Sequence, residues 1–303
     1  MANSPGQAEP EDDRMNLAPF FPFAKPWLTT YQFFHRFFQK RSGFRVLTFH
    51  DVPVRMHPAF ERIIKYVLDH HGILSPCDVE SILNGTWTDD LERTPCLITF
   101  DDGFLSNAEV AREILARYGI QALFFVCPSL LELPPDQQPA AVSRAVFEDA
   151  VPESEDMRLM SWEDLEMLLR AGHTIGSHTR THRRLSSLSR LEKGEEIIKS
   201  AEVLERRLGI ACNWFAYPFG SIQSIDAESY EIIGQRHRFC CAGLRGINSP
   251  GISRLALRRD PIELHTPFEY QLLSLCGGLD FLYRRGSLQL KKYARIAEAQ
   301  YDP

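Results

Sequence analysis

From Phe44 onward the chain alternates short apolar runs with longer stretches of helical period. Phe44-Arg45-Val46-Leu47-Thr48-Phe49, Cys96-Leu97-Ile98-Thr99-Phe100 and Ala122-Leu123-Phe124-Phe125-Val126 read as strands. So do His173-Thr174-Ile175-Gly176, Trp214-Phe215-Ala216-Tyr217 and Phe239-Cys240-Cys241-Ala242. The run at 122–126 is apolar throughout, as expected of a strand covered on both faces in a parallel sheet. Between the strands, 58–70, 105–118, 162–171, 189–208, 226–235 and a final stretch at 267–284 keep helical spacing, with Phe60, Ile63, Ile64, Val67 and Leu68 marking the first. Ser161 followed by Asp164 gives a capping-box-like start, and Gly209 stops the helix before it. Repeated strand–helix units need a parallel sheet with helical crossovers, so the class is α/β and barrel-like.

Two strings at strand ends carry the chemistry: Thr99-Phe100-Asp101-Asp102-Gly103 and Ser177-His178-Thr179-Arg180-Thr181-His182. Taken alone, Asp-Asp-Gly after a strand is an ordinary turn, with Gly taking positive φ. The His-x-x-x-His pair alone is a common solvated pair. Together, one Asp and two His make a three-ligand set for a divalent cation with positions open to water and substrate. The remaining Asp is then available as a base. Both strings fall at the C-terminal ends of strands, where α/β folds bind ligands. The pattern points to metal-assisted hydrolysis.

Composition narrows the field. The 303 residues suffice for one large domain, with 44% hydrophobic and 24% charged residues as in an ordinary globular protein. A net charge of -6 argues against a nucleic-acid partner. No run approaches the roughly 20 apolar residues of a membrane span. The seven cysteines are scattered without a Cys-x-x-Cys pair and read as reduced thiols, mostly small core residues.

The start of the chain reads differently. Residues 1–18 are polar and acidic, expected to be disordered, and lack the form of a signal peptide, so the expected location is cytoplasmic. Residues 19–39 crowd together Phe20, Phe21, Phe23, Trp27, Tyr31, Phe33, Phe34, Phe37 and Phe38, with Lys25, Lys40 and Arg41 nearby. This stretch reads as a helix packed on the domain, with peripheral membrane contact through 19–41 as the alternative. Residues 128–157, rich in Pro and acids, read as an inserted excursion with a short helix at 139–149.

The order Leu-Thr-Phe-His-Asp, Thr-Phe-Asp-Asp-Gly, Ser-His-Thr-Arg-Thr-His, Phe-Ala-Tyr-Pro-Phe-Gly resembles the polysaccharide deacetylase family (NodB homology domain, carbohydrate esterase family 4), and its exopolysaccharide-type branch in particular. The resemblance covers roughly 44–284. It implies a distorted (β/α)7 barrel at 44–285, a single catalytic domain, with an N-terminal extension at 1–43 and a C-terminal tail at 286–303. It further implies a metal-dependent hydrolase that removes N-acetyl groups from amino sugars of a polysaccharide or glycan precursor. Alternatives are a deacetylase or deformylase of a lipid-linked sugar at the membrane face, or a degenerate member that binds glycan without catalysis.

By the same resemblance, Asp102, His178 and His182 hold the metal, most often zinc, and Asp101 is the base toward the attacking water. Tyr217, Pro218 and Phe219 form the substrate and oxyanion segment, the Phe219 N–H facing the developing negative charge. Two positions depart from the usual pattern. Where the family carries an orienting Arg before this segment the chain has Ala216, and Leu257-Arg258-Arg259-Asp260-Pro261 resembles the late string that supplies an Arg instead. Arg259 is the better match and Arg258 the alternative. The proton donor to the leaving amine is expected to be His50, with His265 of Leu264-His265 as the other candidate. The histidines at 57, 70, 71, 173 and 237 are expected at the surface.

Overall fold

The fold is seen in a computed structural model, which describes residues 18–30, 43–87, 93–148 and 156–299. Strands β1 (Arg45–Phe49), β3 (Cys96–Phe100), β4 (Leu123–Val126), β5 (Thr174–Ser177), β6 (Trp214–Ala216) and β7 (Phe239–Ala242) pair in parallel, β1 on one side of β3 and β4 to β7 successively on the other. The short β2 (Ile73–Leu74) lies against the beginning of β3.

Closure comes from one segment broken in the middle. Its first half, β8 (Leu257–Arg258), pairs with β7, and its second half, β9 (Asp260–Pro261), pairs with β1. Arg259 stands at the break, its N–H bonded to the Leu244 carbonyl at 3.2 Å. Taking β8 and β9 as one broken strand and setting aside the two-residue β2, the result is the expected distorted barrel of parallel strands ringed by helices.

Alternation along each strand builds two layers of core. Val46, Leu97, Leu123, Phe125, Trp214, Ala216, Cys241 and Leu257 fill the barrel, while Leu47, Phe49, Ile98, Phe100 and Phe124 face the helices. In the helix His57–His70, Phe60, Ile63, Ile64 and Val67 fall on one side at i, i+3, i+4 and i+7 and are fully buried. Helices Trp162–Arg170 and Arg190–Leu208 both begin with reciprocal capping boxes, Ser161 with Asp164 and Ser189 with Glu192, and Gly209 ends the second at φ +67°.

Several expectations are corrected. The stretch expected as one helix at 105–118 divides into Leu105–Glu113 and a 3-10 turn Leu115–Tyr118. The final helix expected at 267–284 ends at Leu275, because Gly277 turns the chain at φ +87°. A second helix, Arg284–Ala299, takes up most of the expected tail. Its Leu290, Ala294 and Ala297 are buried in the same cluster as Ile232 and Ile233 of the helix Ala227–Arg236. Small residues at helical spacing made this segment look unpatterned.

Two histidines expected at the surface are buried. His173 accepts the Ala122 N–H at Nδ1 (3.0 Å), and His237 Nδ1 lies 3.1 Å from the Cys212 carbonyl oxygen. Burial pushes both down to about 4. All seven cysteines are free thiols, five of them buried.

Of the aromatic N-terminal stretch, the described part forms a 3-10 turn, Ala18–Phe23, running into a helical segment at 24–30. Phe21 packs on Tyr270 with centroids 4.6 Å apart, Trp27 stacks on Phe281 at 5.8 Å, and Ala24 and Leu28 are buried beside Leu272 and Leu273. Of the disorder expected over 1–18, Ala18 instead opens the 3-10 turn, and the remainder, like the aromatics at 31–38, lies outside the described residues. No helix among the described residues is long and apolar enough to cross a membrane.

Candidate active site

Asp101 and Asp102 follow β3 and are both buried, at 3% and 1% exposure. The turn that presents them is left-handed at Asp102 (φ +71°) and Gly103 (φ +84°). A non-glycine residue in that conformation costs of order 1 kcal/mol and persists only where its surroundings enforce it. Asp102 Oδ1 lies 3.4 Å from His178 Nε2 and 3.2 Å from His182 Nε2. The other ring nitrogens are bound away from the centre: His178 Nδ1 is 2.7 Å from the Ala216 carbonyl oxygen, His182 Nδ1 2.7 Å from that of Ala145. Backbone acceptors at both Nδ1 atoms call for the tautomer that leaves Nε2 as a lone-pair donor toward the centre.

The donor set fits a divalent cation. One oxygen and two nitrogens converge within 4.8 Å of one another, and neither Asp102 carboxylate oxygen has a hydrogen-bond partner. A buried carboxylate with both oxygens unpartnered is expensive unless a cation meets it.

The loop carrying the histidines is fixed by the helix behind it. Thr179 (φ +65°) and His182 (φ +62°) are also left-handed, and Thr179 Oγ1 accepts the His182 N–H at 3.0 Å. The buried Glu196 carboxylate accepts the N–H groups of Arg180 and Thr181 (both 2.9 Å) and the Thr181 hydroxyl. One turn further along, Ser200 donates to the Thr179 carbonyl at 3.0 Å. Sequence reasoning missed both. The signal was present: two polar residues at i, i+4 on a face shared with buried Ile197, Ala201 and Leu204.

Asp101 faces the same centre but is held differently. Arg259, 2% exposed, meets it with two parallel bonds, Nη1 to Oδ1 at 2.7 Å and Nη2 to Oδ2 at 2.8 Å. Bidentate geometry fixes the carboxylate plane as well as its charge. Burial would raise Asp101, but the Arg259 guanidinium outweighs burial and lowers it. Asp101 Oδ2 is 3.9 Å from His178 Nε2, so this carboxylate adjoins the Asp102–His178–His182 cluster. Of the two candidate arginines the structure brings Arg259 to the site. Arg258 instead donates to the Ile247 carbonyl.

Phe219 (φ +63°) follows buried Pro218, and among the described residues no protein acceptor takes its N–H. Its ring stands edge-on to His182, centroids 5.0 Å apart, with the Arg184 guanidinium 4.2 Å above it. Tyr217 points elsewhere: its side chain is fully buried in the cluster with Tyr230 and Ile233, so any contact of this residue with substrate would be through its backbone. His50 is exposed at the end of β1, and its carbonyl accepts a bond from buried Asn107 at 2.7 Å. His265 is in the loop after β9, exposed, 3.6 Å from Glu263. The excursion after β4 carries its expected short helix, observed at Gln138–Val146, and through it contributes the Ala145 carbonyl.

A closed parallel barrel with a buried Asp-His-His cluster and an arginine-bound carboxylate at its strand ends has the layout of a barrel enzyme. Residues 88–235 match the polysaccharide deacetylase family. Among solved structures it is similar to IcaB from Ammonifex degensii (23% identity, TM-score 0.57, covering 78% of this chain and 97% of that one). It is also similar to the deacetylase PplD from Streptococcus pyogenes (19%, TM-score 0.60, 77% and 97%) and the BpsB deacetylase domain from Bordetella bronchiseptica (16%, TM-score 0.57, 73% and 96%). These likenesses concern the fold. A gellan lyase from Bacillus sp is 26% identical over 179 residues, which span 59% of this chain and 6% of that protein.

Proposed function

We infer that the protein hydrolyses N-acetyl groups from amino sugars of a polysaccharide or glycan precursor, with a divalent cation, zinc being the expected one, at Asp102, His178 and His182. The observation that carries this reading is the clamp of Arg259 on Asp101 directly beside the triad. Asp101, held below the usual carboxylate range, is a weak base and can take a proton only from an acidified water. The cation, when bound, supplies that acidity and polarises the acyl carbonyl. Asp101 would accept the water's proton, Arg259 fixing which lobe of the carboxylate faces it. The Phe219 N–H would meet charge building on the carbonyl oxygen. The departing amine needs a proton, and His50, solvent-exposed at the rim, is the group proposed to give it.

The test is acetate release from chitooligosaccharides and from poly-N-acetylglucosamine with zinc supplied. Asp101→Asn is expected to keep about one zinc per chain and lose acetate release by several orders of magnitude, as removing a base together with its charge does. Activity retained in Asp101→Asn overturns the base assignment. Failure of the wild-type chain to bind zinc overturns the cation assignment.

A further inference from the structure

On the helix Arg284–Ala299 the residues Arg284, Arg285, Leu288, Lys291, Lys292 and Arg295 are all exposed, while Leu290, Ala294 and Ala297 on the opposite side are buried. At 100° per residue these six fall on one arc, five cations around an exposed leucine, with no carboxylate among them. Among the described residues none of the five makes an ion pair. The helix Arg190–Leu208 is the contrast: there Arg190, Lys193 and Lys199 each meet a carboxylate. In a chain of net charge -6, a face of unneutralised cations is a segregation of charge.

Apolar groups continue the same face. Leu288 is 68% exposed and Phe281, just before the helix, 51%. Phe281 stacks on Trp27, bringing exposed Lys25 and Phe23 of the N-terminal segment to the same region. Cations alone would suit any polyanion. Cations interleaved with exposed Leu and Phe suit a surface with anionic headgroups over an apolar layer.

We propose that the helix Arg284–Ala299, with Phe281 and Trp27 at its start, docks the protein on an anionic lipid surface. The contact is peripheral, with the helix lying along the surface and Leu288 and Phe281 entering the headgroup boundary. It does not depend on the aromatics at 31–38, nor on the deacetylation reading.

The experiment is flotation of the full chain with vesicles of phosphatidylglycerol and phosphatidylcholine, against vesicles of phosphatidylcholine alone. Wild type should float with the anionic vesicles, stay behind with the neutral ones, and be released by high salt. Replacing Arg285, Lys291 and Lys292 by Gln together should weaken binding about 100-fold, the conversion of about 1 kcal/mol per cation at an anionic membrane. The pair Leu288→Ser and Phe281→Ser should weaken vesicle binding while leaving retention on heparin unchanged. All five side chains are exposed, and matching thermal melts would show that the fold is kept. The proposal is overturned by absence of flotation, by a Gln variant that floats like wild type, or by heparin retention without vesicle binding, which would make the face a polyanion site.

Discussion

At the scale of single residues, Arg259 links the strand that closes the barrel to the proposed base. Lysine keeps the charge but not the planar fork, so Arg259→Lys should lower kcat on the order of 100-fold with a small change in KM, as misplacing a reacting group does. Arg259→Ala leaves Asp101 buried and unpaired, and should destabilise the fold by about 3–5 kcal/mol, read by denaturant titration. A second residue-scale expectation concerns His173. Because its Nδ1 accepts the Ala122 N–H, protonating that nitrogen would set two N–H groups against each other, in keeping with a value pushed down to about 4. The unfolded chain takes up that proton near pH 6.5 and the folded one does not, so stability is complete above pH 6.5 and lost as pH falls toward 4. His173→Asn, which retains an acceptor without titrating, should flatten the fall of Tm across that interval. An unchanged slope would assign the acid sensitivity to other groups.

At the scale of elements, the turn after β6 depends on two glycines in contact. A Cβ on Gly220 would lie 2.6 Å from the Gly243 Cα, and Gly220 is itself left-handed at φ +63°. Gly220→Ala should therefore cost at least about 1 kcal/mol from backbone conformation alone. It should also shift Phe219, so that acetate release falls more than stability does. Melting and initial-rate measurements on the same preparation separate the two. The strands and their order were readable because each is an apolar run ended by a polar turn, and the two ligand strings were readable because their side chains are unusual at those places. What supports them was less so. The carbonyls of Ala145 and Ala216 belong to no residue type, and the Gly277 break that divides the C-terminal helices looked like one glycine among many. Arg259 could be narrowed to a pair of neighbours, and which of the two turns inward is set by the strand break between β8 and β9.

At the scale of the whole molecule, a cation bound at the triad would couple ligand to stability. Zinc at about 100 times its Kd should add about 2.7 kcal/mol, raising Tm by about 4 °C for a chain of this size, and chelation should reverse it. In Asp102→Asn, where Asn tolerates the left-handed turn, the zinc-dependent rise should vanish without loss of stability in chelator. A rise that persists in this variant would place the cation elsewhere.

The broken strand 257–261 has a further consequence for how the molecule comes into being. Arg45 meets Asp260 across 215 residues of chain, and Asp101 meets Arg259 across 158. During synthesis from the N-terminus, β1 and β3 emerge early and β1 waits with an open edge until almost everything else has been made. The first strand finds its last neighbour, and the proposed base its guanidinium, in one late event. A nascent or truncated chain lacking that segment would therefore have both a sticky edge and a disoriented carboxylate, so a completed barrel and a competent site should arise together or not at all.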